Sequence, residues 1–494
     1  MKPYLSKSLF LLGLQCHKAL WLVKNRPELM PEPDASLQAI FEAGRDVGKL
    51  AQGLFPGGEE IYFNKEGRQK MVDRTSELIK NGAKTTYEAT FRHDNILVMV
   101  DILHRGKDGW ELYEIKSSTE VKDIHIPDIT LQYYVLTEAG LPVSKVSLVH
   151  INNQYIRKGK INIDELFIIK DLTTEVKAGI DYIKTEVERM RQALDAECPA
   201  IDIGTYCDSP FECGFKSHCW AHIPDNSVFD LRERGIDKFE YYRNSIIKFT
   251  DLNPDELNYK QRMQVEAELT GKEVINRDSL KEFLNTLRYP LCFLDFETIS
   301  PAIPMFDNTS PYEKLPFQYS LYCLENETSE LKHYEFLAEE GTDQREPLIK
   351  GLISLIPDDA CVLSYNMTFE KGVLANLADE FPSYRKKLEN ISKNIVDLMP
   401  PFKQRYYYTR EMKGSYSLKF VLPALVPELS YNGLAIRDGD AASIAYNNLL
   451  SINDKAEKER IRRDLLEYCK RDTLGMVRLL EKLREAAWRN TGSL

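Results

Sequence analysis

The chain has 494 residues, of which 43% are hydrophobic, 10% aromatic and 29% charged, with only 25 Gly and 23 Pro. Such a chain is long enough for about three domains and is not collagenous, of low complexity or largely disordered. Its 76 Asp and Glu outnumber its 65 Lys and Arg, for a net charge of −11, which excludes a generally basic nucleic-acid coat. A polyanionic partner must then be held by local basic strips or by metal ions on clustered carboxylates. The longest apolar run near the start, residues 9–14, is too short for a bilayer. Gln15, His17 and Lys18 follow where a secretory cleavage site would need small residues, so the expectation is a cytoplasmic protein with no membrane partner. Nine cysteines in such a chain argue against a disulfide framework and for considering metal or cluster ligation.

Apolar residues recur at helical spacing over 8–23 and again over 37–55, where Pro56-Gly57-Gly58 ends the second helix. After a further helix ending at Gly82, three strand-like runs cover 87–91, 96–103 and 110–115, with the hairpin signal Lys107-Asp108-Gly109 between the last two. A helix over 128–137 and a strand over 146–151 complete an α/β pattern with a mixed sheet. A long amphipathic helix over 173–196 leads into a cysteine-bearing loop and closes a first domain, 1–224. Residues 225–288 are charged and helical in pattern and read as a helical spacer. The last block, 289–494, opens on an apolar strand over 291–296, continues with strands over 317–324 and 360–363, and is helix-rich thereafter. It too reads as α/β.

The apolar strand of the last block ends in Asp295-Phe296-Glu297. Side chains at i and i+2 share a strand face, so the two carboxylates stand together and repel unless a cation neutralises them. A strand-to-helix junction reads Asn366-Met367-Thr368-Phe369-Glu370, and a helical stretch near the C-terminus reads Tyr468-Cys469-Lys470-Arg471-Asp472, with Tyr468 and Asp472 one turn apart. These three segments resemble the D-x-E, N-x-x-F-D and Y-x-x-x-D motifs of the tyrosine-bearing branch of the DEDD 3'-to-5' exonucleases, which have an RNase H-like fold. The resemblance implies that Asp295 bridges two Mg2+ or Mn2+ ions about 4 Å apart, with Glu297, Glu370 and Asp472 completing the cage. It also implies that Tyr468 orients the attacking water. Glu370 departs from the family's Asp by one methylene. Asp397 and Lys419 could support the site, and Tyr406, Tyr407 and Tyr408 either stack on unpaired bases or form a half-buried strand or helix face.

In the first block Asp101 ends one strand and Glu114-Ile115-Lys116 ends the next, so a carboxylate and an ammonium share a sheet face. This resembles the PD-(D/E)XK restriction-endonuclease-like fold, in which Asp101 and Glu114 would hold Mg2+ and Lys116 would position or activate water. Glu88 and Gln132 match further acidic and glutamine positions of its RecB-like branch. Cys16 far upstream and Cys207, Cys213 and Cys219 in one short stretch resemble the iron-sulfur RecB-like nucleases, including the CRISPR-associated four-cysteine exonucleases. The resemblance implies a 4Fe-4S cluster, with zinc as the alternative. Cys198 is a substitute ligand, while Cys292, Cys323, Cys361 and Cys469 read as packing or site-adjacent residues. Gly48 stands where many of these nucleases carry a metal-binding His.

The architecture as a whole resembles an uncharacterised bacterial family of unknown function that fuses an iron-sulfur RecB-like module to a DEDD-like module. The expected function is a metal-dependent nuclease acting on DNA with a free or single-stranded end, in repair or defence. An RNA exonuclease and a nucleic-acid-binding adaptor with decayed sites are the alternatives. Protein partners are not specified by the sequence.

Overall fold

In a computed structural model, which describes residues 5–62 and 67–488, the chain is a mixed α/β protein of two compact units. The first holds residues 1–222 together with Pro301–Tyr312, and the second holds Ile223–Ser300 and the residues from Glu313 onward. No helix among the described residues is long and apolar enough to cross a membrane.

The first unit is built on a seven-stranded sheet. Its strands are β1 (Leu5–Ser6), β2 (Glu59–Glu60), β3 (Thr85–His93), β4 (Ile96–Arg105), β5 (Trp110–Lys116), β6 (Val143–Ile151) and β7 (Phe167–Asp171). They run in the order β2-β3-β4-β5-β6-β7, with β1 beside β4. β3, β4 and β5 form an antiparallel meander. Helix His125–Glu138 then carries the chain across to β6, which lies parallel to β5. That crossover is why Lys116 at the end of β5 finds Asp128, and Glu114 finds Gln132, on the following helix. Val98, Val100, Leu112, Val146 and Leu148 of the sheet pack with Ile129 and Leu136 of the crossover helix and with Val176 and Met190 of helix Thr173–Asp195.

The apolar periodicity over 8–23 is interrupted where sequence alone shows no break. Two helices, Lys7–Gln15 and His17–Asn25, meet at Cys16, whose backbone is extended (φ −163°, ψ 117°). At Gly13 the first of them approaches Met190 so closely that a Cβ would lie 2.6 Å from its Sδ, and this contact sets the helix that carries Cys16. The helix expected over 37–55 runs Ala35–Ala51 and ends in a 3-10 turn, but only Val47 and Ala51 of it are buried.

The second unit has a five-stranded sheet in the order β11-β10-β9-β12-β13. Its strands are β9 (Leu291–Ile299), β10 (Leu315–Leu324), β11 (Lys332–Leu337), β12 (Cys361–Ser364) and β13 (Ile395–Asp397), while β8 (Val274–Ile275) and β14 (Tyr407–Tyr408) form a separate pair. β9, the apolar strand, is central: antiparallel to β10 and parallel to β12. Helix Lys455–Trp488 buries Leu465, Cys469, Met476, Leu480 and Leu483.

Residues read as a spacer pack within this unit. Val228, Leu231, Phe249, Leu252 and Val265 form a small core, and Leu280 and Leu284 join the core of Leu291 and Phe293. Their charges had masked a sparse but regular apolar face. Tyr408 is buried and its hydroxyl accepts from the Gly414 N–H, with Arg405 over its ring, so its face is not open to a base. Cys292 and Cys323, read as packing residues, form a disulfide between directly opposed positions of β9 and β10; their pairing follows from a strand register that sequence does not display.

The β9–β10 connection, Pro301–Tyr312, belongs to the first unit. Ala302 is buried there with Ile102, Tyr113 and Val149. Arg157 Nη1 donates to the Pro304 and Met305 carbonyls, and the Tyr312 hydroxyl donates to the Ser117 carbonyl, next to Lys116.

Candidate functional site

In the second unit, the alternation of β9 puts Asp295 and Glu297 on one face, as expected. Helix Lys455–Trp488 adds Tyr468, Cys469 and Asp472. Ligand atoms of Asp295, Glu297 and Cys469 lie within 4.8 Å of one another, a group able to hold a metal ion. The Cys469 Sγ stands 3.4 Å from Asp295 Oδ2. Its position in the helix, between Tyr468 and Asp472, is the signal that could have drawn it into the site.

Glu370 is buried in the first turn of helix Thr368–Glu380, with Oε2 unpartnered. Asp397 does support this junction: its Oδ1 accepts from the backbone N–H groups of Asn366 and Met399 at 3.0 and 2.9 Å. Asn366 itself sits at φ 70°, a conformation that asparagine tolerates better than most residues. Glu370 and Asp472 stand outside the 4.8 Å group, but their charges reach Asp295.

Burial pushes all four carboxyls up. Asp295 is raised by burial and then by Asp472, Glu297 and Glu370. Glu297 is raised by burial and then by Asp472, with Lys419 opposing. Glu370 rises through burial to about 8. Asp472 rises through burial to about 6, although the hydroxyls of Tyr431 and Tyr468 and the charge of Lys419 favour its ionised form. Tyr431, whose hydroxyl donates to Asp472 Oδ1, has no place in the motif spacing and became visible only in the fold.

Three buried acids and the half-buried Asp295, all with raised values, would be relieved by a cation and set a pH dependence. A carboxyl with a raised folded-state value contributes stability below its unfolded value, about pH 4, and that stability is lost as pH rises through the folded-state value. The melting temperature in EDTA should therefore fall between pH 5 and 8.5, through about 6 for Asp472 and about 8 for Glu370. Mn2+ should restore it, with a larger shift at pH 8.5 than at pH 5. A Mn2+ shift independent of pH would contradict this account.

In the first unit, Lys7, Glu88, Asp101, Glu114 and Lys116 line one cleft of about 750 Å³. Glu114 is buried. Its Oε1 accepts from Lys7 Nζ at 2.6 Å and Lys116 Nζ at 2.8 Å, and its Oε2 from Gln132 Nε2 at 2.8 Å. Lys116 also reaches Asp128 Oδ2 at 2.5 Å. Asp101 Oδ2 accepts the Ile115 N–H at 2.6 Å.

Burial opposes the charge of Glu114, yet Lys116 and Lys7 outweigh it and hold the carboxyl below its usual range. Asp101 is pushed up to about 8, by burial first and then by Glu114, against the pull of Lys7. Glu88 occupies a left-handed conformation (φ 57°) inside β3, between the pairs Tyr87↔Ile102 and Ala89↔Val100. A non-glycine residue there is costly and typical of functional positions. Gly48 lies on the cleft, with nothing within 4 Å of where its Cβ would stand. Lys7 and Asp128 escaped the sequence reading because neither belongs to the Glu-x-Lys strand.

Cys16, Cys207, Cys213 and Cys219 line one small cavity with Lys18, Tyr206 and Phe215. The Cys213 N–H donates to the Cys207 carbonyl at 2.8 Å. The thiols of Cys213 and Cys219 are raised by burial first, and the other sulfurs add to it. Cys198 is exposed.

Fold and site together define a two-unit α/β protein with a carboxylate group able to hold a metal, a charged cleft and a four-thiol cavity. Residues 292–417, which include Asp295, Glu297 and Glu370, match the family model described as a domain of unknown function (DUF2779). The chain is similar to the uncharacterized protein MG366 of Mycoplasma genitalium, 24% identical over 231 residues that cover 43% of this chain and 35% of that protein. A Mycoplasma pneumoniae homolog of MG366 is 25% identical over 219 residues, 40% of this chain and 33% of that one. The uncharacterized protein UU173 of Ureaplasma parvum is 24% identical over 279 residues, 51% and 37% respectively. The chain thus spans about a third of the length of the curated relatives it matches.

Proposed function

We propose that the chain is a metal-dependent nuclease acting on DNA, with a DEDD-like 3'-to-5' exonuclease site in the second unit and a RecB-like site in the first. The observation that carries this reading is the convergence of Asp295, Glu297 and Asp472 with Tyr468, from β9 and a distant helix, on one largely buried point where their charges repel. Divalent ions bound there supply charge neutralisation and a more acidic water. Asp295 and Glu297 are the carboxylates placed to hold an ion, Glu370 and Asp472 bring further charge to it, and the Tyr468 hydroxyl is available to orient a water. In the first unit the Lys116 ammonium, ion-paired with Glu114 and Asp128, stands on the same cleft as Asp101 and Glu88, the acid and lysine set of a RecB-like site.

The all-thiol donor set fits a 4Fe-4S cluster, which supplies four iron–thiolate bonds when bound. The same four thiols would suit a single tetrahedral zinc.

A second reading applies to the first unit alone. The oxygens of Glu114 are already taken by Lys7, Lys116 and Gln132, and Gly48 offers no ligand, which suits a binding platform. Anaerobically purified protein assayed on end-labelled single- and double-stranded DNA and RNA, with Mg2+, Mn2+ or EDTA, tests both readings. In an Asp295→Ala chain, residual cleavage should vanish on adding Lys116→Ala. An Asp295→Ala chain inert with every metal makes the first unit a platform, and RNA cleaved in preference to DNA would move the substrate.

A further inference from the structure

In the second unit the third donor that comes within reach of Asp295 and Glu297 is sulfur. An oxygen of each carboxylate and the Sγ of Cys469 lie within 4.8 Å of one another, while Glu370 and Asp472 fall outside that group. Cys469 is fully buried in helix Lys455–Trp488, and its Sγ stands 3.4 Å from Asp295 Oδ2 and 3.9 Å from the Asp295 carbonyl oxygen. An oxygen and a sulfur bound to one tetrahedral ion of the zinc type stand about 3.6 Å apart, from bonds of about 2.1 and 2.3 Å. Thiol and carboxylate are thus spaced as two ligands of one ion. A second observation points the same way: Glu370 is buried with Oε2 unpartnered, and its charge bears on both Asp295 and Glu297. A thiol that serves only as a small apolar filler has no reason to be directed at a carboxylate.

We propose that Cys469 is a metal ligand which, with Asp295 and Glu297, makes the second-unit site select a thiophilic divalent ion of the zinc and cobalt type over Mg2+. Mg2+ takes hard oxygen donors in near-ideal octahedral geometry, whereas a thiolate favours zinc and its neighbours. As the ion binds, the thiol's proton leaves to solvent and the charge of the ion takes its place. A single thiolate among carboxylates distinguishes this position from the four-thiol cavity of the first unit. The proposal rests on the reading of the second-unit acids as an ion site.

The test is titration of the full chain with Co2+, after anaerobic purification and removal of loosely held ions with EDTA, followed by thiolate-to-cobalt charge-transfer absorption in the near ultraviolet. The parent and Cys469→Ser share every other cysteine, so the difference between them reads Cys469 alone. That difference band should be present, should be displaced by Zn2+ and should survive a large excess of Mg2+. Glu297→Gln should lose the same band although its thiol is intact, because carboxylate and thiol share the ion; this comparison also decides the matter if Cys469→Ser does not fold. An identical band in the parent and Cys469→Ser, a band untouched by Glu297→Gln, or one displaced by Mg2+ as readily as by Zn2+ would overturn the proposal. A Cys469-dependent band in a chain that shortens no 3' end with any metal would keep the ion site and remove the nuclease reading. Exonuclease activity that Asp295→Asn abolishes, without such a band, would do the reverse.

Discussion

Asp295→Asn, in a chain whose first-unit site is disabled by Lys116→Ala, is expected to abolish stepwise shortening of 3' ends. Asp295 stands at the centre of the second-unit acids: it shares a strand face with Glu297, and the charges of Asp472 and Glu370 bear on it. On the proposed reading, removing its charge would remove a ligand of the bound ions. A loss of about 4 kcal/mol of transition-state stabilisation corresponds to roughly a thousandfold in rate. The same substitution removes a half-buried acid whose charge its neighbours repel, so the EDTA form at pH 8 should melt no lower than the parent, and its response to Mn2+ should disappear. Asp472→Asn should behave alike. Retained exonuclease activity in either variant would remove the two-metal reading of this site. A large fall in melting temperature would show instead that these acids serve the fold.

Replacing Cys16, Cys207, Cys213 or Cys219 by Ala should bleach the brown colour expected of anaerobically purified protein and destabilise the first unit. Cys16 lies between the first two helices and the other three follow helix Thr173–Asp195, so a shared cluster closes a loop of nearly the whole unit. A crosslink of that length is worth about 5 kcal/mol, a large share of the ~5–15 kcal/mol that holds a domain. Its loss should lower the first unit's melting temperature by about 10–20 °C. The second unit has its own cores and should melt as before. Colourless protein with stoichiometric zinc would keep the ligands and reject iron. Colourless, metal-free and stable protein would reject both.

Much of this was legible in the chain because it depends on local periodicity. The period of two on β9 places Asp295 with Glu297, the same period places Glu114 with Lys116, and one helical turn places Tyr468 with Asp472. Apolar runs bounded by turn residues likewise marked the strands of both sheets.

Other features depend on which elements become neighbours, and that is decided by tertiary packing. Lys7 reaches Glu114 because β1 adds beside β4. Asp128 reaches Lys116 because the crossover helix returns over the sheet, and Tyr431 finds Asp472 across 41 residues. The helical period through Cys16 continues in sequence but breaks in space, where the extended residue brings its thiol into the cavity of the other three. Burial, also set by packing, raises the second-unit carboxyls. The sequence by itself determined which side chains share a strand face or a helical turn, because that geometry is repeated every two or 3.6 residues. Only the tertiary structure decided which faces meet and which charges lose their water, because those depend on contacts between residues far apart in the chain.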